Sequence, residues 1–141
     1  MSKRKRIKVR VGDIFQIQLP NGTFAYGKVF RDAAVGIYRK IFDSPVEPPI
    51  NSPFAFTVGL YNDILKSGMW PIVSHEPFRS LEDEWPPPMC IKDPLSGSYS
   101  VYHKGEIRAS TKAECECLET AAVWDADHVI DRIMGGTKYL E

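Results

Sequence analysis

Alternating runs of apolar and polar residues, cut into short pieces by proline, dominate the first 110 residues of this chain. All eleven prolines fall between positions 20 and 94. Each one removes a backbone donor and holds φ at roughly −65°, so no long helix can run through this region. Short strands joined by turns are what remain. Ile7, Val9 and Val11 alternate with Lys8 and Arg10, and Ile14-Phe15-Gln16-Ile17-Gln18-Leu19 alternates again after the turn signal Gly12-Asp13. Pro20-Asn21-Gly22 then offers residues that tolerate positive φ before Thr23 to Phe30 resumes the strand pattern, which predicts a hairpin. Gly27, inside the second strand, predicts a bulge or a sharp bend.

Further strands are expected over Val35–Phe42, Phe54–Tyr61, Met69–Val73, Met89–Lys92, Tyr99–His103 and Glu106–Ala109. The proline-laden stretch Asp43–Pro53 reads as loop, and Pro86-Pro87-Pro88 as an extended segment that cannot donate to a ladder. The pattern changes at Thr111-Lys112-Ala113-Glu114, a capping box, after which Cys115, Leu118 and Ala122, with Ala121 or Trp124, recur at helical spacing. Asp125 is placed to cap a second helical segment bearing Val129, Ile130, Ile133 and Met134, stopped by Gly135-Gly136. Strands first and a helix last predict an α+β domain: a mainly antiparallel sheet or partly open barrel with a C-terminal helical segment. One domain over 1–141 is expected, with a flexible basic tail at 1–6, a β-rich part at 7–109 and a helical part at 111–134.

At 141 residues, 43% hydrophobic and 26% charged, the chain has the size and composition of one globular domain, which excludes a disordered or fibrous protein. No stretch reaches the roughly 18 apolar residues of a membrane helix, and the N-terminus lacks the apolar run of a secretory signal. A cytoplasmic protein without membrane contact is expected. Its three cysteines, Cys90, Cys115 and Cys117, then read as reduced thiols.

The net charge of zero hides an asymmetry. Lys3, Arg4, Lys5, Arg6, Lys8 and Arg10 fall in an acid-free first decade, and residues 11–141 carry 12 basic and 18 acidic side chains. A basic arm could serve nucleic acid through counterion release, which gives the alternative function of a small nucleic-acid-binding β-barrel. The acidic body repels phosphate and disfavours it; a solubilising terminus is the simpler role.

Motifs for enzyme chemistry are missing. No phosphate-binding loop, dinucleotide fingerprint, nucleophile elbow or zinc pattern occurs, so no cofactor is expected. Cys115 and Cys117, two apart on a helix, would point about 200° from each other, and no metal ligation is expected. Cys90 has no local signature of a nucleophile. Asp125, Asp127, His128 and Asp131 are raw material for a hydrolase, but helix capping and solvation explain them more simply. By contrast, Trp85 beside Glu82, Asp83 and Glu84, bounded by prolines, suits an aromatic anchor ringed by carboxylates for a basic protein partner. Covering an apolar seam is an equally good role for Trp85.

Gly12-Asp13-Ile14-Phe15, Leu19-Pro20-Asn21-Gly22, Tyr26-Gly27-Lys28-Val29, Met69-Trp70-Pro71-Ile72, and Leu118-Glu119-x-Ala121-Ala122-Val123-Trp124 with Arg132-Ile133 occur in that order over nearly the whole chain. Together they resemble the immunity protein 26 family of bacterial polymorphic toxin systems. One departure is Ser74-His75, where that family leads us to expect a glycine. The resemblance implies an antidote that binds and blocks a cognate secreted toxin domain. It implies no catalytic residues, only turn and core positions that leave the contact surface to vary. The partner-binding residues expected on this basis and on charge are Glu82, Asp83, Glu84 and Trp85, with Glu114, Glu116 and Glu119. The oligomeric state is left open.

Overall fold

The computed structural model describes residues 7–46 and 52–136. Strands β1 (Asp13–Gln18), β2 (Phe24–Val29), β3 (Ala34–Tyr38), β4 (Phe54–Leu60) and β5 (Ile72–His75) come first. A short helix, α1 (Asp63–Lys66), sits between the last two. Then follow β6 (Met89–Lys92), β7 (Tyr99–His103), β8 (Glu106–Ser110), α2 (Lys112–Cys115), β9 (Glu119–Thr120), β10 (Val123–Trp124) and α3 (Ala126–Ile133). They form a six-stranded sheet ordered β10-β4-β3-β2-β1-β5 and a four-stranded sheet ordered β8-β7-β6-β9. Both sheets are open and mostly antiparallel, and the fold is mixed α+β with a C-terminal helix, as the sequence pattern predicts.

The hairpin at the start forms in the expected register, Ile14 opposite Lys28 through Gln18 opposite Phe24. Gly22 supplies the positive φ of its loop, at 84°. Other expectations need correction. Ile7–Val11 makes no ladder; it lies beside α1, where the Ile7 N–H donates to the Lys66 carbonyl at 2.9 Å, and Val9 packs on the core. Gly27 is not a bulge. It pairs regularly with Phe15, and a Cβ there would lie 2.3 Å from the Phe15 ring, so the position is kept bare by an aromatic neighbour. The irregularities fall instead at Ile14/Phe15 facing β5 and at Ile37/Tyr38 facing β4. The basic residues 1–6 and part of the Asp43–Pro53 loop lie outside the described residues.

The segment 111–134 is divided rather than helical throughout. The Thr111 hydroxyl accepts from the Glu114 N–H at 3.2 Å, half of the expected capping box, while the Glu114 carboxylate turns to Arg108 and Ser110. α2 then stops after one turn. The chain passes along two sheet edges, with β9 pairing parallel to β6 and β10 parallel to β4. Edge pairing satisfies backbone groups that a short isolated helix would hold only weakly, and here it overrides the helical spacing.

The large sheet is covered on both faces. On one, Phe15, Ile17, Ile37 and Val58 pack against Ile64 and Leu65 of α1, Val129 of α3, and Trp70, whose ring stacks on Phe15 at 5.6 Å. On the other, Ile14, Tyr26 and Tyr38 pack with Phe24, Phe42 and Phe54. Tyr26 is fully buried, yet its hydroxyl donates to the Val46 carbonyl and accepts from the Val46 N–H and the Gln16 amide, each at 3.1 Å. In the small sheet Cys90, Val101 and Cys115 form a third cluster; burial and the neighbouring Cys115 thiol push the Cys90 thiol up to about 11.

Three residues, Arg31-Asp32-Ala33, separate the last bonded pair of the β2–β3 hairpin, in which the Phe30 N–H donates to the Ala34 carbonyl at 2.9 Å, and Asp32 and Ala33 hold φ of 66° and 56°. Both are left-handed conformations, and holding a residue with a Cβ there costs on the order of 1–2 kcal/mol. Two substitutions should therefore move stability in opposite directions. Gly27→Ala should lower it by about 2 kcal/mol, because the Phe15 ring is pinned by Trp70. Ala33→Gly should raise it by about 0.5–1 kcal/mol, the relief of strain exceeding the added unfolded-chain entropy. Urea unfolding of each variant measures both.

Candidate partner-binding surface

Glu82–Glu84 forms one turn of 3₁₀ helix whose start is held by the Ser80 hydroxyl, which accepts from the Asp83 N–H at 3.3 Å. The three prolines that follow Trp85 prevent the helix from continuing. The turn is braced at both ends. The Lys104 ammonium, from the β7–β8 turn, donates to the Glu82 carboxylate and holds its carboxyl below the usual carboxylate range. Arg31, at the strained β2–β3 turn, donates its backbone N–H to the Glu84 carbonyl at 2.8 Å and its Nε to the Glu84 carboxylate at 2.7 Å. Its guanidinium also lies 5.6 Å from the Trp85 ring. Asp83 is exposed between these braces.

Trp85 is half-buried and forms part of a wall rather than a projecting anchor. It lines, with Glu82 and Asp83, a groove of about 680 Å³ on the aromatic face of the large sheet. Lys28, Tyr38 and Phe78 line the same groove. Lys28 is only 8% exposed, and its ammonium sits 4.0 Å from the centre of the Phe78 ring. Burial lowers its pKa, and Glu76 opposes the shift. Burial, aided by Glu76, pushes the Tyr38 hydroxyl up to about 12, so it remains a neutral donor.

A second cleft of about 520 Å³ opens between the sheets, with Ala34 and Gly59 on one side and Met89, Ile91 and Tyr102 on the other. The Tyr102 hydroxyl closes its rim by donating to the Asp32 carboxylate at 2.5 Å. Pro86, Pro87 and His103 line both spaces, which makes the proline segment the wall between them.

The remaining expected residues stand apart from the 82–85 turn. Glu114 accepts from Arg108 at 2.7 Å and from the Ser110 hydroxyl, and both bonds hold its carboxyl low. Glu116 is exposed at the end of α2. Glu119 accepts two bonds of 2.7 Å from Arg132, whose guanidinium lies 4.1 Å from the Phe56 ring and 5.3 Å from Trp124. That carboxylate orients α3 on the sheet. His128 stacks on Trp124, with centroids 3.6 Å apart, and Cys115 is buried where Cys117 is exposed. Sequence reasoning missed Lys28, Glu76 and Phe78. For Lys28 the signal was its place in the alternation Phe24, Tyr26, Lys28, Phe30, which sets it on an aromatic face.

Among the described residues no helix is long and apolar enough to cross a membrane. No curated protein and no solved structure matches the chain. A family description does: Immunity protein 26, over residues 10–101, from the approach to β1 into β7. Three of the motifs that carry the resemblance, the Gly12–Phe15 entry, the Asn21-Gly22 loop and the segment with Trp70, lie within this span, in the large sheet and its covering core. The motif from Leu118 to Trp124 with Arg132-Ile133 lies beyond the matched span. With the match covering well over half of its length, the chain belongs to the Immunity protein 26 family and is an immunity protein of a toxin system.

Proposed function

We propose that this protein neutralises a cognate toxin domain in the cytoplasm by binding it one to one, without catalysis. The first contact is the acidic turn at Glu82, Asp83 and Glu84, with Trp85 and the groove behind it receiving toxin side chains. The observation that carries this is the bracing of the turn. Lys104 and Arg31 hold its two ends, so Asp83 is presented on a fixed frame and little conformational entropy is lost on binding. Residues 11–141, with 12 basic and 18 acidic side chains, add a field that attracts a cationic partner, such as a nuclease, and speeds encounter. Glu114 and Glu116 are a second, separate acidic patch; Glu119 contributes through its hold on α3.

Calorimetric titration against the inactivated C-terminal toxin domain of the secreted protein encoded beside this one should give saturable one-to-one binding at nanomolar affinity. Reversing Glu82, Asp83 and Glu84 to lysine should weaken it and slow association. Asp83→Lys alone, which disturbs neither brace, should already lower the association rate by about tenfold at low salt. Unchanged affinity and on-rate in both variants would remove the turn from the contact, and an absence of binding between two folded partners would refute the pairing.

A further inference from the structure

β8 is the outermost strand of the small sheet, and four of its five residues are exposed. It pairs with β7 in unbroken register from Tyr99 opposite Ser110 to His103 opposite Glu106. The connecting turn, Lys104-Gly105, has φ of 53° and 81°, so His103 and Glu106 close a two-residue hairpin and face each other with their backbone groups. Alternation then points the N–H and C=O of Ile107 and Ala109 away from β7, toward an edge with no further strand among the described residues. β8 has no proline, no bulge and no lysine, and Ile107 is 65% exposed; of the usual protections of an edge it has only its shortness and the charges of Glu106 and Arg108.

The sequence Glu106-Ile107-Arg108 decides what can pair there. In an antiparallel pairing with a second copy, only residues with outward backbone groups can be hydrogen-bonded partners, so Ile107 must meet Ile107, Ala109 or Gly105 of the other chain. The first register places Glu106 opposite Arg108 of the second copy, twice, in close non-hydrogen-bonded positions, with the two Ile107 side chains in contact. Sliding by two residues one way sets Arg108 opposite Arg108; sliding the other way sets Glu106 opposite Glu106. Opposite charges in such positions attract and like charges repel, and a one-residue slip breaks the ladder. Arg108 already donates one bond to Glu114 and keeps further N–H groups for a second carboxylate.

We infer that β8 is a self-association edge, joining two copies of this chain about a two-fold axis at Ile107 into one continuous eight-stranded sheet. This surface is distinct from the 82–85 turn. A pairing of five residues a side makes a small interface, so the dimer is concentration-dependent.

Sedimentation velocity of the full chain from about 1 μM to 1 mM, the span in which so small an interface dissociates, tests it. The mass should climb from 16.0 kDa toward twice that value. Glu106→Arg sets like charges opposite each other and should abolish the rise, and adding Arg108→Glu to it should restore the dimer. Ile107→Pro should also give a monomer, and near-ultraviolet circular dichroism should find it folded, since proline is tolerated where an edge N–H faces outward. A wild-type chain that stays at 16.0 kDa throughout overturns the inference. So does a dimer indifferent to Glu106→Arg, and a failure of the double exchange to restore it rejects the register.

Discussion

The relation between the two sheets depends on one strained corner. Asp32 and Ala33 both hold positive φ, and the turn they make points Arg31 and Asp32 toward different parts of the molecule. Arg31 grips the acidic turn through Glu84, while Asp32 receives the Tyr102 hydroxyl from the small sheet. The Ala33 carbonyl accepts the Leu60 N–H at 2.9 Å, which ties the corner to β4 as well. A relaxed turn of another type would splay β2 from β3 and aim these groups elsewhere. The local cost of the backbone is thus offset by contacts that position the large sheet, the small sheet and the braced acidic turn at once.

A second joint fixes the C-terminal part. Arg132 reaches from α3 across Phe56 and Trp124 to the Glu119 carboxylate, and this planar cation between aromatic faces suits arginine where lysine would lose one of the two parallel bonds. Because Glu119 belongs to β9 and Trp124 to β10, the joint holds both short parallel strands at their respective sheet edges. The charged residues of this protein therefore divide by role. Some, such as Glu119, build the fold; others, such as Asp83, are carried on it.

Features encoded within a few residues were legible in the sequence. Asn21-Gly22 announced the first hairpin, Gly135-Gly136 the end of α3, and period-two alternation most of the strands. Asp32-Ala33 lacks the glycine that marks the other turns, and its aspartate alone was too common a residue to single the position out. β9 and β10 were hidden because a two-residue strand is defined by the edge it meets, and Met89 and Gly59 lie far away in the chain. The acidic turn was visible as a charged, proline-bounded segment. Its braces were not, since Arg31 and Lys104 are separated from their partners by 53 and 22 residues.

The proline wall has one more consequence. Pro86 to Pro88 leads directly into β6, an inner strand of the small sheet, at a place where an ordinary extended segment could lengthen the ladder. Three successive residues without an N–H cannot be recruited in that way. The segment acts as a spacer that donates no ladder bonds, and at Pro86 and Pro87 it separates the two hollows as a stiff partition.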